Sequence, residues 1–202
     1  MDRRAVMGSA ALALLSARSA SAQDAPAPLP PGAASRSDFD YFLGKWRVEH
    51  RRLRRRLAGS NDWEVFGGHT RCQQLFGGLV KHNESISYRG ARTSYGIGLR
   101  ALDEPGERWA DWYLSAGDLS KIDPPLYGRF MKGVGTFLAR ETFEGRAIVV
   151  RGRFSPVTKD EARWEQAFSV DDGATWETNW VMRYMRSERV SNAGFGCEED
   201  AG

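Results

Sequence analysis

The sequence predicts an all-β domain, an antiparallel up-and-down β-barrel, on three observations. Short runs alternate apolar and polar residues with a period of two, glycines and turn formers separate those runs, and long helical periodicity is absent. A chain of 202 residues suits one domain with a sizeable core and is short for two. The seven Trp fall mostly in the alternating runs, as a β-rich core requires.

Residues 1–22 read as an export signal. Arg3-Arg4 precedes the apolar stretch Ala10 to Leu15, and Ala20-Ser21-Ala22 offers a small-x-small cleavage site before Gln23. That stretch is short and mild and Arg18 follows it, which suits twin-arginine export better than the general secretory route. The expected location is the bacterial periplasm or beyond. An amphipathic N-terminal helix is the weaker alternative, because nothing polar organises a second face. Residues 23–37, with Pro26, Pro28, Pro30 and Pro31, form an extended linker. The barrel is expected to occupy residues 38–186, and the polar composition of residues 187–202 predicts a disordered tail.

The barrel opens on a short helical turn, Phe39 to Leu43, which Asp38 can cap. In the first strand Trp46, Val48 and His50 share one face, opposite Arg47, Glu49 and Arg51. Further strands run from Trp63 to Leu75 and from Leu79 to Tyr88. The next alternates Tyr95, Ile97, Leu99 and Ala101 as its apolar face, and Arg108 to Ser115 follows. Gly135 to Ala139 and Ala147 to Phe154 come next, before a hairpin of Ala162 to Val170 with Trp176 to Met185. Asp171-Asp172-Gly173 supplies the residue types for a tight turn in that hairpin. Roughly nine strands with short turns indicate a closed barrel or a sandwich. Closure is preferred, because it removes exposed edges and leaves an interior for one small ligand.

Phe42-Leu43-Gly44-Lys45-Trp46 resembles the glycine-x-tryptophan signature that opens the first strand of lipocalin-like barrels. The resemblance implies that the indole plugs the closed end and that Arg183 or Arg186 packs over it. Arg51-Arg52-Leu53, Asp123-Pro124-Pro125, Gly133-Val134-Gly135 and Arg163-Trp164-Glu165-Gln166-Ala167-Phe168-Ser169 are similar to an uncharacterised bacterial family of calycin-type barrels, across residues 38–186. That family is of unknown function, so the resemblance implies a fold and no activity. Asp111 departs from its pattern, in which an apolar residue holds that position.

Several function classes are excluded or weakened. Formal net charge is +3, and three of the 29 basic residues lie in the expected signal, so charge gives no case for nucleic acid. No apolar run after the N-terminus approaches the roughly 20 residues of a membrane span. Two Cys and three His exclude a cysteine-rich zinc site. His50, His69 and His82 sit on consecutive strands without metal-ligand spacing, so neither a metal nor a cofactor is expected. Cys72 and Cys197 can pair in an oxidising compartment, but an unpaired buried Cys72 is favoured. The basic run Arg51 to Arg56 alternates between faces and ends in a solvated hairpin loop rather than a phosphate-binding patch.

What remains is the interior. Tyr95, Trp109, Tyr113, Trp164 and Trp180, with Gln166 and Thr178 as sparse polar contacts, are expected to line an aromatic cavity for a small apolar or amphipathic molecule. His50 and Asp111 are the catalytic candidates if the cavity belongs to an isomerase or lyase working by an acid–base pair. A lone inward His is more often a hydrogen-bonded structural group, and Asp111 faces water if Ala110, Trp112 and Leu114 are the inner set. A structural or protein-interaction role in the cell envelope is the third reading.

Overall fold

The computed structural model describes residues 27–187. The export signal, the first residues of the linker and almost all of the tail, with Cys197, lie outside the described residues. Ten strands form a closed antiparallel barrel: β1 (Gly44–Leu53), β2 (Trp63–Leu75), β3 (Val80–Arg89), β4 (Arg92–Asp103), β5 (Arg108–Ser115), β6 (Leu126–Met131), β7 (Val134–Phe143), β8 (Arg146–Thr158), β9 (Glu161–Ser169) and β10 (Glu177–Arg186). Each strand pairs with its sequence neighbours, and β1 closes the sheet against β10. Among the described residues no helix is long and apolar enough to cross a membrane.

The strand absent from the sequence reading is β6. It is six residues long, follows Pro124-Pro125 and meets β5 at only three register positions. Its centre is Gly128, where a Cβ would strike the Phe137 ring, so the apolar alternation that marks a strand is missing. Beyond the start of β5, Ala33 bridges to Phe130 with backbone hydrogen bonds of 3.0 and 2.8 Å. The end of the linker is thereby tied to the barrel. The β9–β10 connection is also longer than the tight turn expected. Residues 170–176 form a loop organised by Asp171, whose carboxylate accepts from the Thr175 backbone at 2.8 Å and its hydroxyl at 2.6 Å.

The closed end is built from the segment before β1. The helical turn is a 3-10 turn, Asp40–Phe42, and Asp38 does not cap it. The Asp38 carboxylate instead accepts from the Ser35 backbone at 2.7 Å and from the Trp109 indole at 2.9 Å. Phe39 and Phe42 plug the barrel, 0% and 1% exposed. Phe39 meets Trp109, Phe130 and Phe154 edge to face at 4.9–5.3 Å, the favoured geometry for aromatic pairs. Gly44, with φ of 101°, makes the bend into β1. Trp46 donates its indole N–H to the Phe42 carbonyl at 2.8 Å. Of the two arginines the resemblance offered, Arg186 covers the indole, 3.9 Å from the ring centroid, and donates to the Leu43 and Tyr41 carbonyls. Arg183 is exposed on the outer face.

Candidate functional site

Above the plug the interior is not filled. A cavity of about 330 Å³ lies inside the barrel, at the lower end of the roughly 300–1,000 Å³ range of small-molecule sites. A separate groove of about 420 Å³ lies near the ends of β7, β8 and β9, lined by residues such as Arg140, Thr142, Val170 and Asp172. Its lining is mainly polar, and the mainly apolar cavity inside the barrel is the better ligand site.

The cavity walls are Phe154, Trp164, Phe168, Trp180, Met182 and Tyr184, with Gln166 among them. Register explains the set. Trp164 pairs with Phe154 on β8 and Met182 on β10, and Gln166 pairs with Trp180. Trp164 and Trp180 meet edge to face at 5.6 Å. A β-bulge between Thr178 and Trp180 changes the polar contacts. Thr178 pairs with Ala167 on the outward-facing register, and Asn179 is fully buried, its side-chain oxygen accepting from Gln166 at 3.0 Å. The expectation that Thr178 lines the interior is corrected accordingly. Trp176, expected to open the last strand, lies before β10 under Arg151, whose guanidinium is 4.2 Å from the ring centroid.

The inner face of β4 reverses the sequence reading. Tyr95 and Ile97 are outside, 46% and 45% exposed, and the inward positions are Gly96, Gly98, Arg100 and Leu102. The alternation is real, but its bulky set faces solvent because the barrel needs room at the small residues. A Cβ at Gly96 would collide with the Tyr113 phenol, and one at Gly98 with the Asn83 amide and the Arg100 guanidinium. Tyr113 fills the space opened by Gly96 and stands at the cavity mouth. Trp109 points inward but lies below the cavity, within the plug cluster.

The floor is polar, and of its groups the sequence pointed to Asp111 but not to Arg100 or Asn83. Asp111 faces inward, since Trp109, Asp111 and Tyr113 are the inner set of β5, and its carboxylate lies 3.3 Å from the Arg100 Nε. That is a charge contact and not a hydrogen bond, and the buried Nε–H has no hydrogen-bond acceptor among the described residues. Arg100 also donates to the Asn83 side-chain oxygen at 2.7 Å and stacks over Phe154, Phe39 and Phe42 at 4.8, 5.2 and 5.6 Å. Asn83 in turn donates to the Thr70 and Ser85 hydroxyls. Burial pushes Asp111 up to about 6, against the opposing pull of Arg100. Its side chain is 15% exposed, and that exposure is toward the cavity it lines. Lys81, on the inner face beside this network, is completely buried and bonds Asp40 at 2.6 Å and Gln74 at 2.7 Å.

His50 is not paired with Asp111. Its ring stacks on Phe66 at 4.5 Å, and its Nδ1 accepts from the Trp180 indole at 3.3 Å. Burial, then the charge of Arg52, lowers it to about 4, so at neutral pH it is an uncharged structural acceptor. His69 and His82 take outward register positions on β2 and β3, away from His50. Among the described residues no group of His, Cys, Asp and Glu is gathered to hold a metal ion. Cys72 is buried against the plug, with its thiol raised to about 11 by burial.

The two shifts have opposite signs in stability. His50 is depressed below its ordinary 6.5, so its contribution is complete above that value and is lost as pH falls toward 4. Asp111 is raised above its ordinary 3.8, so its contribution is complete below that value and is lost as pH rises through 6. Each amounts to about 3 kcal/mol at about 1.4 kcal/mol per pH unit. Between pH 4 and 6 they oppose. In denaturation measurements Asp111→Asn should unmask a stability that climbs with pH in this window, and His50→Gln one that declines. Parallel pH profiles for the two variants and the parent would contradict both assignments.

Fold and cavity together define a lipocalin-like ten-stranded barrel whose interior site is of small-molecule size. No family model and no curated protein matches the chain. Solved structures do. The S-type phycobiliprotein lyase CPES from Guillardia theta aligns with TM-score 0.50 at 13% identity, over 74% of this chain and 90% of that one. Rv2717c from M. tuberculosis aligns with TM-score 0.50 at 10% identity, over 77% and 99%. A protein of the DUF3598 family from Nostoc punctiforme aligns with TM-score 0.41 at 14% identity, over 78% and 51%. The two alignments at TM-score 0.50 bear on the fold alone, and one fold hosts many functions.

Proposed function

We propose that the chain is an exported barrel that binds a small apolar or amphipathic molecule in the cavity above the plug. The observation that carries this reading is a space of about 330 Å³ inside the barrel walled by aromatic side chains, with polar groups confined to its floor, Gln166 and the mouth. Such a site buries an apolar body and orients it with few polar contacts. Binding of a member of a panel of fatty acids, sterols and quinones should quench tryptophan fluorescence saturably. Trp164→Phe and Trp180→Phe should each remove part of the quench, and Trp109→Phe, whose ring is below the floor, should not. Absence of saturable quenching and of calorimetric heat across the panel would remove the binding reading.

Export is proposed from the twin arginine and the Ala22 cleavage site. N-terminal sequencing of protein recovered outside the cytoplasm should begin at Gln23, and Arg3→Lys with Arg4→Lys should block its appearance there. A cytoplasmic chain that retains residue 1 would contradict this. The enzyme reading keeps one specific support, the Asp111 carboxyl raised to about 6 on the cavity floor, in the range a general acid uses near neutral pH. His50 is engaged elsewhere, so catalysis would run through Asp111 without it. Turnover of a panel molecule that Asp111→Asn abolishes would establish that alternative.

A further inference from the structure

The basic run at the end of β1 divides between two environments. Arg51 is exposed and covers Trp63 on the outside, 4.9 Å from its ring. Arg52 follows Trp46, Val48 and His50 on the inner face, opposite Trp180, and lies 4.6 Å over that indole. Arg56, from the loop after β1, turns back over the mouth, 4.9 Å from the Phe143 ring and 5.5 Å from Phe168, and lines the cavity. Among the described residues neither guanidinium makes a hydrogen bond or an ion pair. Both are half-buried. Burial lowers the pKa of each, and Arg52 is lowered further by the charges of Arg56 and Arg89.

The remaining charges around the mouth are largely taken. Glu64, opposite Arg52 on β2, is ion-paired to Arg54 and Arg89 and acts on Arg52 without contact. Asp123 is paired with Lys121 at 2.5 Å. Glu177 accepts from the Leu57 backbone at 2.7 Å, and it and Glu144 act on Arg56 only from beyond contact. Glu141 stands on the opposite wall. The other interior guanidinium, Arg100, already faces Asp111, so an anion placed there would meet a carboxylate. Two half-buried like charges held over aromatic rings, on which carboxylates act only from beyond contact, form a receptor for an oxyanion, because guanidinium binds carboxylate and phosphate through charge-assisted hydrogen bonds.

We propose that the ligand is an anionic amphiphile, its apolar body among Trp164, Phe168 and Trp180 and its carboxylate or phosphate held at the mouth by Arg52 and Arg56. This inference rests on the cavity reading above. It is tested by calorimetric titration of the purified chain with decanoate, decyl phosphate, decanol and decylammonium. The anions should bind at least about tenfold more tightly than decanol, decylammonium should bind weakest, and the preference should shrink as salt is added. The tighter of the two anions identifies the head group. Arg52→Met and Arg56→Met should each reduce the anion preference severalfold, and the double variant should abolish it. The double replacement by lysine, which keeps the charge, should retain part of it. Equal binding of decanol and decanoate, tighter binding of decylammonium, or a preference that survives the double methionine variant would overturn the head-group assignment and leave the cavity reading standing. Failure of all four to bind would overturn both.

Discussion

Replacing Trp46 by alanine should destabilise the barrel by about 3–5 kcal/mol, the range for deleting a large buried aromatic. Three losses coincide there. The ring is 1% exposed and packs against Phe42 at 5.7 Å and Tyr184 at 6.3 Å, so its removal leaves a void at the closed end. The Phe42 carbonyl loses its indole donor. Arg186 loses the ring it covers while still tethered to the Leu43 and Tyr41 carbonyls. Trp46→Phe keeps most of the volume and loses the hydrogen bond, so its cost should be nearer 1–2 kcal/mol, about the value of one buried bond. Urea denaturation with an unchanged slope would read both values as shifts of midpoint. A loss below about 1 kcal/mol for the alanine variant would mean that the indole is not the plug.

Arg100→Met should cost about 3–5 kcal/mol at neutral pH, because removing one partner strands the other as a buried charge. Asp111 would lose the cation that lowers its pKa, and Asn83 the donor to its side-chain oxygen. The pH dependence separates this from simple loss of packing. Without Arg100 the Asp111 carboxyl should titrate above 6, so the penalty grows with pH and is smaller at pH 5, where the group stays protonated in the folded state. Adding Asp111→Asn to Arg100→Met should recover part of the stability at pH 7 and little at pH 5. A pH-independent loss, or no recovery in the double variant, would show that the pair is energetically uncoupled.

The candidate site was legible in part. Trp164, Gln166 and Trp180 line the cavity as their alternation indicated, and Tyr113 reaches its mouth. Asp111 faces the cavity, but its partner is Arg100 and not His50. Thr178 was displaced by one bulge residue and Tyr95 by a whole face. On β4 both faces satisfy a period of two, and bulk by itself does not decide which is inner. The deciding contacts, Tyr113 over Gly96 and Asn83 over Gly98, come from other strands.

An all-β chain, the strand positions except β6 and the Gly44–Trp46 opening of the barrel follow from local pattern, because backbone alternation and turn residues act over a few neighbours. Which faces turn inward, how high the aromatic plug reaches, that Arg100 joins Asp111 under a cavity lined by Arg56, and that Arg52 covers Trp180 emerge in the folded barrel. Those outcomes depend on cross-strand register and on the volume left between side chains distant in the sequence. A charge buried at such a junction is stabilised by partners that no local pattern announces.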